Sequence, residues 1–246
     1  MSARIWLVIP TYNEAENVGP IVRAVAAEMA KIAPGEHRIL IVDDNSPDGT
    51  GALADELAGQ VQTLEVMHRS AKDGLGRAYI AGFEHALARG AELVVEMDAD
   101  FSHDPKHLGA LIAAADDADL VLGSRYVAGG AVRNWGVLRK LISRGGSMYA
   151  RTVLGIDVRD LTGGFKCIRR MVLETIDLRS LRGGGYVFQI EVTYRAIRSG
   201  FRVREVPILF VDRRAGASKM SATIALEAML LVPRLRRQQT RQLTRS

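Results

Sequence analysis

Leu93-Val94-Val95-Glu96-Met97-Asp98-Ala99-Asp100-Phe101-Ser102-His103-Asp104-Pro105 is the stretch on which both the fold and the chemistry turn. A run of strand-forming residues delivers two carboxylates, one residue apart, to the point where the strand ends. Asp104-Pro105 then opens a helix, with Asp104 at the N-cap and proline at the first helical position. Residues i and i+2 of a strand share a side, so Asp98 and Asp100 face a common point if the extended backbone persists. Adjacent carboxylates repel unless a cation or a proton lies between them. Hard oxygen ligands that leave positions open suit Mg²⁺ or Mn²⁺ bound together with phosphates. Taken alone, the same residues read more readily as a surface turn, because Asp before Pro is turn chemistry.

The flanking sequence changes that balance. Residues 5–9 form a continuous apolar run, the mark of a strand buried on both faces, and end at Pro10-Thr11-Tyr12-Asn13-Glu14. A helix over 15–32 leads to a second buried strand over 38–42, which ends in Asp43-Asp44-Asn45-Ser46-Pro47-Asp48-Gly49-Thr50. A helix over 50–58 and a strand near 63–68 follow. The loop Lys72-Asp73-Gly74-Leu75-Gly76 then opens a helix to about residue 89. Beyond the Asp98 strand come a helix over 105–115 and a strand over 120–123. This alternation predicts an α/β fold, a mainly parallel sheet with helices on both faces. Ligands of such sheets bind beyond the carboxyl ends of the strands. The polar clusters at 10–14, 43–48 and 98–102 all fall there, and their convergence argues for a site.

The second half is less regular. Helices are expected over 139–154 and 187–199, and 203–211 reads as an edge strand because Pro207 removes a ladder donor. Residues 220–235 are mostly apolar and break at Pro233. No internal repeat or low-complexity linker divides the chain, so a single domain over 1–220 is expected, followed by an amphipathic helix and basic tail over 221–246.

Charge is placed unevenly. The chain carries 33 Lys+Arg against 28 Asp+Glu, and the five arginines from Arg234 onward account for the whole excess. A basic tail suits nucleic acid or an anionic membrane surface. No zinc-finger spacing, RNA-binding aromatic motif or helix-turn-helix accompanies it, which favours the membrane surface. The N-terminus enters Arg4-Ile5-Trp6-Leu7-Val8-Ile9 without a signal-peptide pattern, and no apolar run reaches the ~18 residues of a membrane span. A single cysteine, Cys167, excludes an intrachain disulfide and reads as core filler rather than a nucleophile. A cytoplasmic, non-spanning protein is expected.

A metal-bound diphosphate at Asp98 and Asp100 also requires groups that hold a nucleoside. Tyr12 offers a face for stacking, and Asp43 or Asp44 offers an acceptor for ribose or a base edge. A nicotinamide site is disfavoured: the first βα turn has no glycine, and the third small position after Gly74-x-Gly76 would be Tyr79. Downstream, Gly123-Ser124-Arg125-Tyr126, Arg139 to Ser143 and the Arg213 to Lys219 loop carry basic residues, with Gly123 and Gly216 in the first and last of them. Such groups suit a phosphate clamp, which implies a second phosphate on an acceptor.

These blocks, with Asp160-Leu161-Thr162-Gly163-Gly164-Phe165 and Gly185-Tyr186-Val187-Phe188-Gln189, resemble the polyprenyl-phosphate (dolichyl-phosphate) mannosyltransferases of glycosyltransferase family 2, in the same order and over about residues 4–220. The resemblance implies a GT-A fold and an inverting transfer of mannose from GDP-mannose to a polyprenyl monophosphate, with a divalent cation, Mg²⁺ or Mn²⁺. By position it implies Pro10, Tyr12, Glu14, Val42 and Asp44 at the nucleoside. It implies Asp98, Ala99 and Asp100 at the nucleotide sugar, and Asp98, Asp100 and Ser102 at the metal. Arg125, Arg139, Ser143, Arg213 and Lys219 are implied at the acceptor phosphate and donor diphosphate, with Asp98, Asp100, Arg125, Arg213 and Lys219 counted as catalytic. Many relatives append transmembrane helices, which this sequence lacks. The implied location is therefore the cytoplasmic face of the membrane, with a separate or fused membrane protein as partner. Asp98-x-Asp100-x-Ser102 also resembles the nucleophile motif of haloacid dehalogenase-type phosphatases, although that family carries it on the first strand. Two further readings stay open: another donor such as UDP-glucose, and a non-catalytic nucleotide-binding membrane adaptor.

Overall fold

The computed structural model describes residues 4–181, 185–212 and 231–237. Seven strands form one sheet, β1 (Ile5–Thr11), β2 (His37–Asp43), β3 (Leu64–His68), β4 (Leu93–Glu96), β5 (Leu120–Ser124), β7 (Lys166–Arg169) and β8 (Val203–Pro207), in the order β3-β2-β1-β4-β7-β5-β8. A separate ribbon pairs β6 (Ala131–Arg133) with β9 (Leu209–Val211). All pairings in the main sheet are parallel except those of β7, which runs antiparallel to both neighbours.

The apolar runs behave as their patterning requires. Trp6 and Val8 of β1 and Leu40 and Val42 of β2 enter the core on one face of the sheet, which α3 (Leu75–Ala88), α5 (Val137–Leu154), α6 (Arg170–Thr175) and α7 (Gly185–Arg198) cover. Leu7, Ile9, Ile39 and Ile41 enter the other, under α1 (Ala15–Ile32), α2 (Thr50–Ala58) and α4 (Leu108–Ala113). Helix α3 lies so close to the sheet that a Cβ on Gly82 would meet Val8 Cγ1 at 2.3 Å. Asp104 caps as expected, accepting from Lys106 N at 3.0 Å, but the helix after it is a 3₁₀ turn, Pro105–His107, then α4, then a second 3₁₀ turn, Ala114–Asp116.

Two expectations need correction. The sequence signals no strand at 166–169, yet β7 lies in the middle of the sheet. Its first residue, Lys166, pairs in register with Glu96 of β4. The 203–211 segment is not one strand: it breaks after Pro207, so that β8 closes the sheet edge while β9 leaves to join β6. The proline does mark an edge, since among the described residues β8 has a strand neighbour on one side only. Cys167 is buried core, its thiol pushed up to about 12 by burial, which removes it as a nucleophile. Residues 231–237 are helical, with Val232 in the core and Leu235 against it, so this segment is packed on the domain. The rest of the 220–235 segment and most of the basic tail lie outside the described residues.

Candidate active site

The carboxyl ends of β1, β2 and β4 open into a cavity of about 310 Å³ lined by Pro10, Tyr12, Glu14, Asp44, Asp98 and Asp100, with Lys72, Thr162, Gly164 and Gln189 among the other walls. The loop after β2 builds its own scaffold. Asp43 Oδ1 accepts from Thr11 Oγ1 at 3.0 Å and from Ser46 Oγ at 2.6 Å, tying the ends of β1 and β2 together. Asp48 accepts from Thr50 and from Ala15 N, holding the start of α1 against α2. Asp43 is therefore a brace, and of the two adjacent aspartates it is Asp44 that lines the cavity. Burial raises the Asp44 carboxyl above its ordinary value, against the pull of the Arg69 guanidinium bound to it.

At the end of β4 the chain turns through Phe101, whose φ of 61° lies in the left-handed region. Asp98 Oδ1 accepts from Tyr79 Oη at 3.1 Å, and Asp100 Oδ1 accepts from Ser102 N at 3.0 Å. Tyr79 keeps its proton, because burial and then Asp98 push its pKa well above the phenol range. Beneath them the Lys166 ammonium donates to Glu96 Oε1 at 2.8 Å, Gly163 O at 3.0 Å and Gln189 Oε1. Its three donors are thereby used, fixing the Gly163-Gly164 floor. Burial lowers the Lys166 pKa and raises that of Glu96.

The described lining tests the expected metal. Glu14, Asp44, Asp98 and Asp100 are acidic, Lys72 alone is basic, and no thiol or imidazole takes part. Such an all-oxygen, acid-rich wall fits a hard divalent cation and not a soft one. Among the described residues no group of three or more His, Cys, Asp or Glu is placed to hold a metal ion.

The expected residues sort unevenly. Pro10, Tyr12, Glu14, Asp44, Asp98, Ala99 and Asp100 come together around the cavity. Val42 does not line it; its side chain is wholly buried beside Gly82 of α3. Ser102 is buried as well and is not part of the lining. Arg125, Arg139 and Ser143 gather next to a second cavity of about 300 Å³, lined by Arg125, Tyr126, Lys140 and Arg144. Arg125 is buried, its Nε and Nη2 on Asp160 at 2.7 and 2.6 Å and its Nη2 also on Thr162 Oγ1 at 2.8 Å. Thr162 lines the main cavity, so Arg125 stands in the partition between the two. Arg139 pairs with Asp212 at 2.8 Å and stacks over Trp135, while Ser143 Oγ accepts from Tyr126 Oη at 2.7 Å. Arg213 and Lys219 lie outside the described residues.

Tyr79, Arg69, Lys72, Lys166, Gln189 and Asp160 were not expected as site residues. Lys72, Gln189 and Asp160 lie inside the quoted motif blocks and Tyr79 lies three residues past one, which was the available signal; each needs a distant partner before its role is visible.

Comparison with known proteins gives the family and the fold. The family model described as glycosyl transferase family 2 matches residues 6–177. The chain is 51% identical to a polyprenol monophosphomannose synthase of Mycolicibacterium smegmatis over 93% of this chain and 85% of that protein. It is 47% identical to an undecaprenyl-phosphate mannosyltransferase of Micrococcus luteus, over 94% of this chain and 93% of that protein. Its fold matches a mannosyltransferase from Pyrobaculum calidifontis solved with GDP-Man and Mn²⁺, at a TM-score of 0.61 and 18% identity, over 89% of this chain and 59% of that one.

Proposed function

The chain belongs to glycosyl transferase family 2 and has the GT-A fold, and from that premise we propose that it transfers mannose from GDP-mannose to a polyprenyl monophosphate, giving β-mannosyl phosphate polyprenol and GDP. The observation that carries this reading is the Asp98–Asp100 pair at the floor of a nucleotide-sized, acid-lined cavity, beside a second, basic cavity across Arg125. Close relatives named for mannose transfer to lipid phosphates support the substrate class.

Asp98 and Asp100 would hold the divalent cation, which supplies counter-charge for the departing diphosphate. Tyr12 offers its ring to the base, and Glu14 and Asp44 offer acceptors at the nucleoside end. Gly164 keeps the floor clear: a Cβ there would stand 3.6 Å from Asp98 Oδ2 and 3.3 Å from Gln189 Nε2. The acceptor is a phosphate monoester, whose second pKa of about 6 leaves it mostly dianionic at neutral pH, so it needs little help from a general base. The harder task is to bring two anions together, and the basic cavity addresses it by charge and orientation. With Arg125 and Arg139 each holding an aspartate, Lys140 and Arg144 are the exposed cations of that cavity. A single in-line displacement inverts C1.

The lipid substrate places the site at a membrane surface, and α5 has the form to meet it. Val137, Leu141 and Met148 are 75, 63 and 67% exposed and recur on one helical face, with Lys140 and Arg144 next to them. Apolar residues beside cations suit an anionic interface. No helix among the described residues is long and apolar enough to cross a membrane. Peripheral association with the cytoplasmic face, alone or through a separate membrane protein, completes the proposal.

The test is to incubate purified protein with radiolabelled GDP-mannose, polyprenyl phosphate and Mn²⁺ or Mg²⁺, and to follow label into solvent-extractable lipid. Label transferred as the β-anomer supports the reading. Transfer from UDP-glucose in place of GDP-mannose, or binding of nucleotide without transfer, overturns it.

A further inference from the structure

Lys72 stands at the nucleoside end of the cavity, its Nζ 3.7 Å from the centre of the Tyr12 ring. Its loop is anchored on both sides of it. Arg69 N donates to Asp43 O at 2.8 Å, the Arg69 side chain holds Asp44, and Asn45 Nδ2 donates to Ser70 O at 3.3 Å. On the other side the Asp73 backbone donates to the Asp44 carboxylate. The backbone is thus tied to the carboxylate at the nucleoside end, while the Lys72 side chain is exposed and rests on an aromatic face. An exposed ammonium–ring contact is weak and readily exchanged. A base stacking on that face of Tyr12 moves the ammonium from the ring to the edge of the base.

We propose that Lys72 is a base-reading residue that donates to a ring carbonyl of the bound nucleotide, with Glu14 accepting from the donors beside that carbonyl. Guanine has the matching edge: N1–H and the exocyclic amine are adjacent donors, and O6 next to them is an acceptor. Glu14 lines the cavity, its Oε2 accepts from Asn17 Nδ2 at 2.7 Å, and a carboxylate can accept several hydrogen bonds at once. Adenine places an amine where guanine has O6, and uracil sets a single N–H between two carbonyls. The inference rests on the nucleotide-sugar reading above and adds to it the side chain that selects the base.

The experiment measures GDP, IDP, ADP and UDP affinities with Mn²⁺ by calorimetry for the wild type, Lys72→Met and Lys72→Arg. Lys72 is exposed, so the variants retain the core. The wild type should favour GDP and IDP over ADP. Lys72→Met should weaken GDP and IDP about tenfold each and leave ADP within about twofold, as expected for one charged hydrogen bond to a carbonyl. Lys72→Arg, which still donates, should keep most of the preference. IDP lacks the exocyclic amine, so an unchanged GDP-to-IDP ratio in Lys72→Met shows that Lys72 reads the carbonyl and not the amine. Equal weakening of all four nucleotides would mean general attraction to phosphate and would overturn the proposal, as would unchanged GDP affinity. A wild type that prefers UDP to GDP overturns the donor reading itself, a result visible before any variant is made.

Discussion

Lys166 Nζ lies 2.8 Å from Glu96 Oε1 across the β7–β4 register, and both side chains are wholly buried in the centre of the sheet. An ion pair without solvent gains little over an apolar pair of the same volume, but removing one partner strands the other. Lys166→Met should therefore cost ~3–5 kcal/mol of unfolding free energy. Glu96→Gln in the same chain should recover a large part of that loss. Urea denaturation of the single and double variants measures both numbers. A single variant as stable as the wild type would show that the pair is not what holds β7 in place.

Tyr79 donates to Asp98 from α3, so it would support the proposed metal site without being a ligand. Removing such a supporting hydrogen bond commonly weakens metal binding about 10–100-fold. Tyr79→Phe should raise the Mn²⁺ concentration for half-maximal transfer by about tenfold, with kcat at saturating Mn²⁺ nearly unchanged. Asp100→Ala should abolish transfer at any Mn²⁺ concentration. Metal titrations of transfer rate separate the two outcomes, and comparable activity in metal-replete Asp100→Ala would sink the metal scheme.

Asp160 is buried with its carboxylate on the Arg125 guanidinium. Burial works to raise its pKa, but the Arg125 charge and hydrogen bonds prevail and hold it below the ordinary 3.8. A carboxylate depressed in the folded state stabilises the fold at pH above its unfolded pKa. That contribution is lost as pH falls through the folded value. Asp160→Asn should thus destabilise at about pH 7 by ~3 kcal/mol or more, with the gap to wild type narrowing toward about pH 3 and below. Urea midpoints across that range test the sign. A gap that widens in acid contradicts it.

The parts of the fold that were legible in the sequence are those whose signal is local. Ile5 to Ile9 and Ile39 to Val42 are apolar without interruption, which only a strand covered on both faces requires. Strand β7 was hidden because Lys166-Cys167-Ile168-Arg169 starts and ends with a cation. Only Glu96, 70 positions away, makes the first of them a core residue. The site shows the same division. Residues quoted at strand ends, such as Tyr12, Asp44, Asp98 and Asp100, reach the cavity, because topology alone brings strand ends together. Val42 and Ser102 were carried over by position, and their side chains are turned by strand alternation and by the Phe101 turn into buried surroundings. The acceptor-side arginines fit their motif, yet whether an arginine faces a ligand or an aspartate depends on Asp160 and Asp212, which no local pattern connects to them.

Leu141 lies in the middle of the exposed apolar face of α5, between Val137 and Met148, and is 63% exposed. A leucine so placed contributes nothing to the core, so replacing it should leave the fold intact within the usual surface range of about 0.5 kcal/mol. At a bilayer it buries apolar surface, and an acidic substitute would also repel anionic headgroups. Leu141→Asp should reduce sedimentation with vesicles containing phosphatidylglycerol while leaving GDP binding unchanged. Transfer to polyprenyl phosphate in those vesicles should fall several-fold, and transfer to a short, water-soluble isoprenyl phosphate should be retained. Equal loss on both acceptors would place Leu141 in the reaction itself, and unchanged vesicle binding would move the membrane contact away from α5.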